Sequence, residues 1–125
     1  MIRFYITVIA VFLVLGLLRP AVAQEAGEPA FLQNLNDVPL MPGLYEVIEE
    51  GVVFDQPQGR IVEANAAADT RQATEIQSFY SHTLPQLGWK QVGPGAFSRE
   101  GEMLRIAVQE ADSGRVVHFT VIPRP

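Results

Sequence analysis

Apolar positions along this chain recur with two different periods, and the change of period marks the elements. Between Met103 and Glu110, Leu104, Ile106 and Val108 alternate with Met103, Arg105, Ala107 and Gln109. Between Arg115 and Ile122, Val117, Phe119 and Val121 alternate with Val116, His118, Thr120 and Ile122. A period of two puts successive side chains on opposite faces of a strand, so each run presents one apolar face. Asp112-Ser113-Gly114 between them is hairpin-turn chemistry. Trp89 to Val92, the Gly93-Pro94-Gly95 turn and Ala96 to Arg99 read as a further strand pair. Upstream, Gly51 to Asp55 and Gly59 to Ala64 flank Gln56-Pro57-Gln58, which reads as a hairpin.

Between the two strand groups the period switches. From Asp69 to Leu87, Ala73, Ile76, Phe79, Tyr80, Thr83, Leu84 and Leu87 recur at intervals of three and four, which predicts one amphipathic helix. Asp69 or Thr70 offers the N-cap, Glu75 favours the positive end of the dipole, and Gly88 supplies the stop. Pro85 removes a backbone donor late in the pattern, so the last turn is irregular or the helix ends near Thr83. The resulting order, β-β-α-β-β-β-β, leaves no room for crossover helices between the last strands. It specifies an α+β fold: an antiparallel β-sheet with one amphipathic helix packed on one face. Phe79 is central to the helical stripe and Trp89 follows the helix stop, so both are expected in the core.

Phe31 to Tyr45 is apolar but punctuated by Asn34, Asn36, Pro39, Pro42 and Gly43, which predicts an extended or singly turned N-terminal arm rather than a long regular element. Leu40, Met41, Leu44 and Tyr45 in that arm need burial. One helix covers one face of a sheet, and the opposite face carries Met103, Ala107, Val116 and Ile122 mixed with Arg105, His118 and Thr120. Such a face is too apolar for free solvent and too polar for a sealed core. The expectation is that the arm partly covers it and that a partner binds at the boundary. Leu40, Met41, Leu44, Tyr45, Arg105, Val116, His118 and Ile122 are therefore the candidate binding residues.

The first 23 residues lie outside this scheme. Arg3 precedes an apolar run from Phe4 to Leu18, and Ala21-Val22-Ala23 stands before Gln24 as a small-x-small cleavage site. This reads as a secretory signal peptide, since the run, ended by Arg19-Pro20, falls short of the roughly 20 residues needed to span a bilayer. The expectation is a periplasmic or secreted protein with no stable membrane insertion after cleavage. Residues 24–30 have the composition of a disordered linker, which leaves 31–125 as a single α+β domain. Of the 9 basic residues in the 125-residue chain, Arg3 and Arg19 fall in the leader. Thus 7 remain against all 14 acidic ones, and the formal charge moves from −5 to −7. An acidic domain with no basic block argues against nucleic acid and anionic lipid as partners. The chain has no cysteine, which excludes thiol catalysis, thiolate zinc sites and iron–sulfur clusters.

Candidate chemistry is sparse. His82 sits on the polar side of the predicted helix and His118 on the mixed strand face, with no metal-ligand spacing between them. Ser78, Ser81, Ser98 and Ser113 lack a nucleophile frame. The acidic pairs Glu49-Glu50, Glu100/Glu102 and Glu110/Asp112 sit in or beside predicted turns and read as solvated loop acids. No cofactor or metal is expected. The reading that follows is a non-catalytic periplasmic binding or protein-interaction module, such as an accessory subunit of an envelope complex. Its partner is an unidentified protein of the cell envelope or a second copy of the chain. The rival reading is a small secreted hydrolase using His82 or His118 with loop carboxylates.

Asp37-Val38-Pro39-Leu40-Met41-Pro42-Gly43-Leu44, Gly51-Val52-Val53-Phe54-Asp55 with Gly59-Arg60-Ile61, and the Phe79-Tyr80-x3-Leu84-Pro85-x-Leu87-Gly88-Trp89 motif carry a resemblance. At these positions, spread over residues 37 to 89, the chain resembles uncharacterised small exported proteins of alphaproteobacteria. The resemblance implies location and fold class and transfers no catalytic residue. The leader reading makes a direct prediction: protein recovered from the periplasm should have the intact mass of a chain starting at Gln24. A membrane-bound species retaining Met1 to Ala23 would overturn it.

Overall fold

A computed structural model describes residues 30–68 and 70–124. The expected leader and all of the expected linker except Ala30 lie outside the described residues. The described chain forms β1 (Phe31–Leu32), β2 (Leu35–Pro39), β3 (Leu44–Glu46), β4 (Val52–Gln56), β5 (Gly59–Ala68), α1 (Ala73–Thr83), β6 (Lys90–Gly93), β7 (Ala96–Arg99), β8 (Glu102–Ala111) and β9 (Gly114–Pro123). Seven of these strands make one antiparallel sheet in the order β3-β5-β9-β8-β7-β6, with β4 also paired to β5. The helix packs on one face of it, so the fold is α+β as the periodicity requires.

Both hairpins form where the turn residues stand. Gln56 pairs with Gly59 across Pro57-Gln58, and Ala111 pairs with Gly114 across Asp112-Ser113. The two ten-residue strands β5 and β9 then pair along most of their lengths, from Val62 opposite Val121 to Ala68 opposite Arg115. The helix is shorter than its apolar pattern. Gln72 rather than Asp69 or Thr70 precedes it, in extended conformation and without a side-chain cap bond. The Arg71 carbonyl is held instead by the Arg115 guanidinium at 3.0 Å, which keeps this stretch in the connection from β5. At the other end Pro85 falls in a 3-10 turn over Leu84–Leu87, and Gly88 closes it in the left-handed conformation (φ +91°).

The arm differs most from expectation. It is not the plain extended form but the singly turned one, the hairpin β1–β2 turned at Gln33-Asn34, followed by β3, which joins the main sheet beside Ala66 to Ala68. Gly43 (φ +94°) makes the corner that lets Leu44 pair with Ala68, and Arg71 packs directly against it. Nor does the arm cover the mixed sheet face. Leu32, Leu35, Val38, Met41 and Leu44 are buried in the same core as Ile76, Tyr80 and Leu84 of the helix and Val62, Leu104, Val117, Phe119 and Val121 of the sheet. The reason is dimensional. An 11-residue helix is about 16 Å long and a ten-residue strand about 33 Å. The helix therefore leaves part of the apolar sheet face bare, and the arm closes that part. Ala64, Ala66 and Ala68, buried on β5, leave the depth for both layers to settle.

Polar contacts lock the arm in place. The Tyr80 hydroxyl donates to the Pro39 carbonyl at 2.7 Å and accepts from the Met41 N–H at 3.2 Å, while its ring meets Phe119 edge-on at 5.4 Å. Trp89, fully buried as expected, donates its indole N–H to the Asp37 carbonyl at 3.3 Å, and the Arg99 guanidinium lies 4.5 Å over its ring. The Asp37 carboxylate pairs with Arg99 and, at 3.6 Å, with Arg60, which grips Glu102 through bonds of 2.8 and 3.0 Å. The Glu102 hydrogen bond outweighs partial burial and raises the Arg60 pKa further. Phe79, expected at the centre of the core, is only partly buried, and Tyr80 takes that place.

Burial pushes the Tyr80 phenol above its ordinary pKa. The folded pKa is thus the higher one. The associated stability is complete below about pH 10, where unfolded tyrosine titrates, and is lost as pH rises beyond it. Tyr80→Phe should cost about 1–3 kcal/mol at neutral pH, because it strips a buried carbonyl and a buried N–H of their partner. The same variant should flatten the decline in stability above pH 10. Urea denaturation at pH 7 and pH 11 checks both.

Candidate functional site

Strand alternation decides what the outer face of the sheet carries. Because Val62, Ala64, Ala66 and Ala68 point into the core, Glu63, Asn65 and Ala67 point outward from β5. Register then lays His118 between Asn65 and Ala107, Thr120 between Glu63 and Arg105, and Val116 between Ala67 and Gln109. Ile122 lies opposite Met103 at one end, and Tyr45, opposite Ala67, closes the other. Arg105, Val116, His118 and Ile122 thus share one face as the alternation requires. Of the four arm residues grouped with them, only Tyr45 is there, because β3 joins the sheet in a register that turns it outward. Leu40, Met41 and Leu44 sit on the opposite side of the sheet, packed in or against the core.

His118 is the centre of this face. Its Nδ1 is 2.6 Å from Asn65 Oδ1 and its Nε2 is 3.1 Å from Gln109 Oε1. Asn65 Nδ2 in turn donates to Glu50 Oε2 at 2.7 Å. Glu50 ends a 3-10 turn over Ile48–Glu50, which is pinned to β5 by the Val47 N–H bond to the Asn65 carbonyl at 2.8 Å. The order of donors fixes the imidazole. Since the Asn65 amide nitrogen donates to a carboxylate, its oxygen faces His118 and must accept, so neutral His118 carries its proton on Nδ1. Its Nε2 is then an acceptor, best met by the Gln109 amide nitrogen. On protonation it becomes a donor, and the Gln109 oxygen serves. Asn65, His118 and Gln109 of this chain border a shallow, open depression of about 380 Å³ lined also by Glu63, Ala107 and Thr120.

The other candidate groups are separate from it. His82 is exposed on the helix, in the layer across the sheet from His118, and its Nδ1 bonds the Ser78 carbonyl at 2.7 Å. That bond claims the Nδ1 proton, so the Ser78 hydroxyl, 3.4 Å from the same nitrogen, has no base there to receive its own. Glu102 is taken by Arg60 and Glu110 by Arg115. Among the described residues no group of three histidine or acidic side chains is placed to hold a metal ion. Sequence reasoning missed Asn65, Gln109 and Glu50. A lone Asn amid four alanines, Ala64, Ala66, Ala67 and Ala68, was a visible signal, but only the β5–β9 register brings it to His118.

Comparisons with protein-family models, curated proteins and solved structures found no match to this chain. The geometry makes its own prediction. Nitrogen NMR of the neutral His118 imidazole should find its proton on Nδ1, the tautomer a free imidazole disfavours. Asn65→Ala should return it to Nε2. An Nε2 proton in the unaltered protein would disprove the donor order derived above.

Proposed function

We propose that the protein is a non-catalytic interaction module of the cell envelope, exported to the periplasm or secreted. In this reading it binds a protein partner through the outer face of its sheet. One observation carries the reading: helix and arm both lie on the same side, leaving a broad face bare among the described residues. That face sets apolar Tyr45, Val116, Ile122 and Met103 around the polar centre at His118. Mixed faces with a tyrosine and an arginine at hand, here Tyr45 and Arg105, are the composition from which protein interfaces draw their strongest contacts. The depression is open rather than enclosing, which suits a flat macromolecular surface better than a small molecule sealed from water.

The oriented imidazole supports a second reading. A carboxylate, an amide and a histidine in series resemble the means by which enzymes hold a general base in one tautomer. In a hydrolase built on His118, the depression would take the scissile bond, Nε2 would receive the proton, and Glu63 or Thr120 would border the substrate.

The two readings diverge under substitution. Tyr45→Ser and Val116→Lys, singly and together, should reduce capture of envelope partners by the tagged protein at least tenfold. The thermal midpoint should move by less than about 2 °C, because these side chains lie outside the core. Under the first reading His118→Ala leaves any hydrolytic activity within about tenfold. A loss of 10²- to 10⁴-fold with the fold intact, the usual effect of removing an acid–base group, would establish the second.

A further inference from the structure

We infer that the free edge of β4 is a homodimer contact, in which residues 51–55 pair antiparallel with the same segment of a second copy. This stands independently of what binds the outer face. The sheet has two edges, and they are built differently. On the β6 edge the strand is four residues long, starts with exposed Lys90, shifts register between Gln91 and Gly93 and runs into Pro94. A lysine, a bulge and a proline are the devices by which sheet edges avoid other strands. Strand β4 has no lysine and no bulge, and its Pro57, like Pro94, stands in the hairpin turn beyond the strand. It pairs regularly with β5 over five residues, and Val52, Val53 and Phe54 are 48%, 49% and 59% exposed. Among the described residues no strand lies on its other side.

The sequence of the edge fits a second copy. With a two-fold axis at Val53, Val53 meets its own counterpart on the inner side, while Val52 meets Phe54 twice on the outer side. Each apolar side chain therefore covers another, and the Val52–Phe54 pairs put an aromatic against a β-branched residue. The charges fit the same register. Asp55, the one charged residue of β4, falls opposite Gly51, so no like charges meet. The place where a Gly51 side chain would start is 3.2 Å from the Asn34 amide nitrogen, a donor for the incoming Asp55 carboxylate. A glycine at 51 also leaves that carboxylate room. The axis stands perpendicular to the sheet, so both outer faces lie on one side of the dimer and become continuous. A five-residue pairing of this kind falls below the roughly 1,200 Å² of standard interfaces, which makes the dimer a weak one.

The test uses the secreted chain as purified. Sedimentation equilibrium from about 10 µM to about 1 mM should show a reversible monomer–dimer equilibrium. Val53→Lys should weaken it at least tenfold with the thermal midpoint within about 2 °C of the parent. Because the protein has no cysteine, Val53→Cys reports the register directly. The Cα separation of opposed antiparallel residues, about 4.5–5.5 Å, admits a disulfide, so this variant should oxidise to a covalent dimer while Val116→Cys on the outer face stays monomeric. A monomer at 1 mM that Val53→Cys does not cross-link overturns the inference. So does a dimer that survives Val53→Lys, cross-linking through Val116→Cys instead, or a β4 edge that captures only a strand of another protein.

Discussion

The buried hydroxyl of Tyr80 is the contact on which the arrangement of layers rests. A tyrosine taken wholly out of water must satisfy its oxygen, and here both its donor and its acceptor capacity are spent on the arm, at Pro39 and Met41. That choice ties helix to arm across the top of the sheet. It also settles a topological question, because an arm tethered to the helix cannot reach round to the far face. The bare outer surface is therefore a consequence of the inner packing, not a separate feature added to it.

A second tether works at the middle of β2 from a different chemistry. Asp37 gives its carbonyl to Trp89 and its carboxylate to Arg99 and Arg60, so one residue of the arm engages three separate parts of the sheet layer. These ion pairs are a fifth to a third exposed, and pairs so placed contribute little individually. Their value lies in direction: a guanidinium stacked on an indole, with one nitrogen on the Asp37 carboxylate and another on the Leu87 carbonyl, accepts one orientation of the arm and rejects others. Hydrophobic burial supplies the affinity of the arm for the core, and the polar contacts supply its register.

Much of the fold was legible because period is a local property. The alternation of Leu104, Ile106 and Val108 with Arg105 and Ala107, and the turn residues at Pro57 and Ser113, fix strands and hairpins with no knowledge of the rest of the chain. The helix stop at Gly88 and the irregular turn at Pro85 belong to the same class. What failed was non-local. Asp69 and Thr70 are good caps, yet the connection from β5 has to travel before the helix can begin, and nothing in the cap signals that distance. Phe79 and Tyr80 are adjacent in one stripe, and which of them faces the centre depends on where Phe119 arrives. The site divides along the same line: alternation alone puts His118, Val116, Ile122 and Arg105 on one face. The placement of Tyr45 with them, the departure of Leu40, Met41 and Leu44, and the Asn65 bond to His118 all depend on which strand lies beside which.

The pairing of β5 with β9 joins the first long strand of the domain to its last. A ribosome or a translocation channel delivers the chain from its N-terminus, so β5, with the alanine stripe that seats helix and arm, emerges long before β9, the strand that occupies its inner edge. Until β9 arrives, the helix and arm have half a floor to stand on. The C-terminal meander β6 to β9 can close through short turns, but the sheet becomes continuous only when β9 finds β5 across the whole intervening chain, a contact of high entropic cost. Native structure in this domain therefore waits on β9, and the exposed interval before it is one that a holding chaperone is suited to cover.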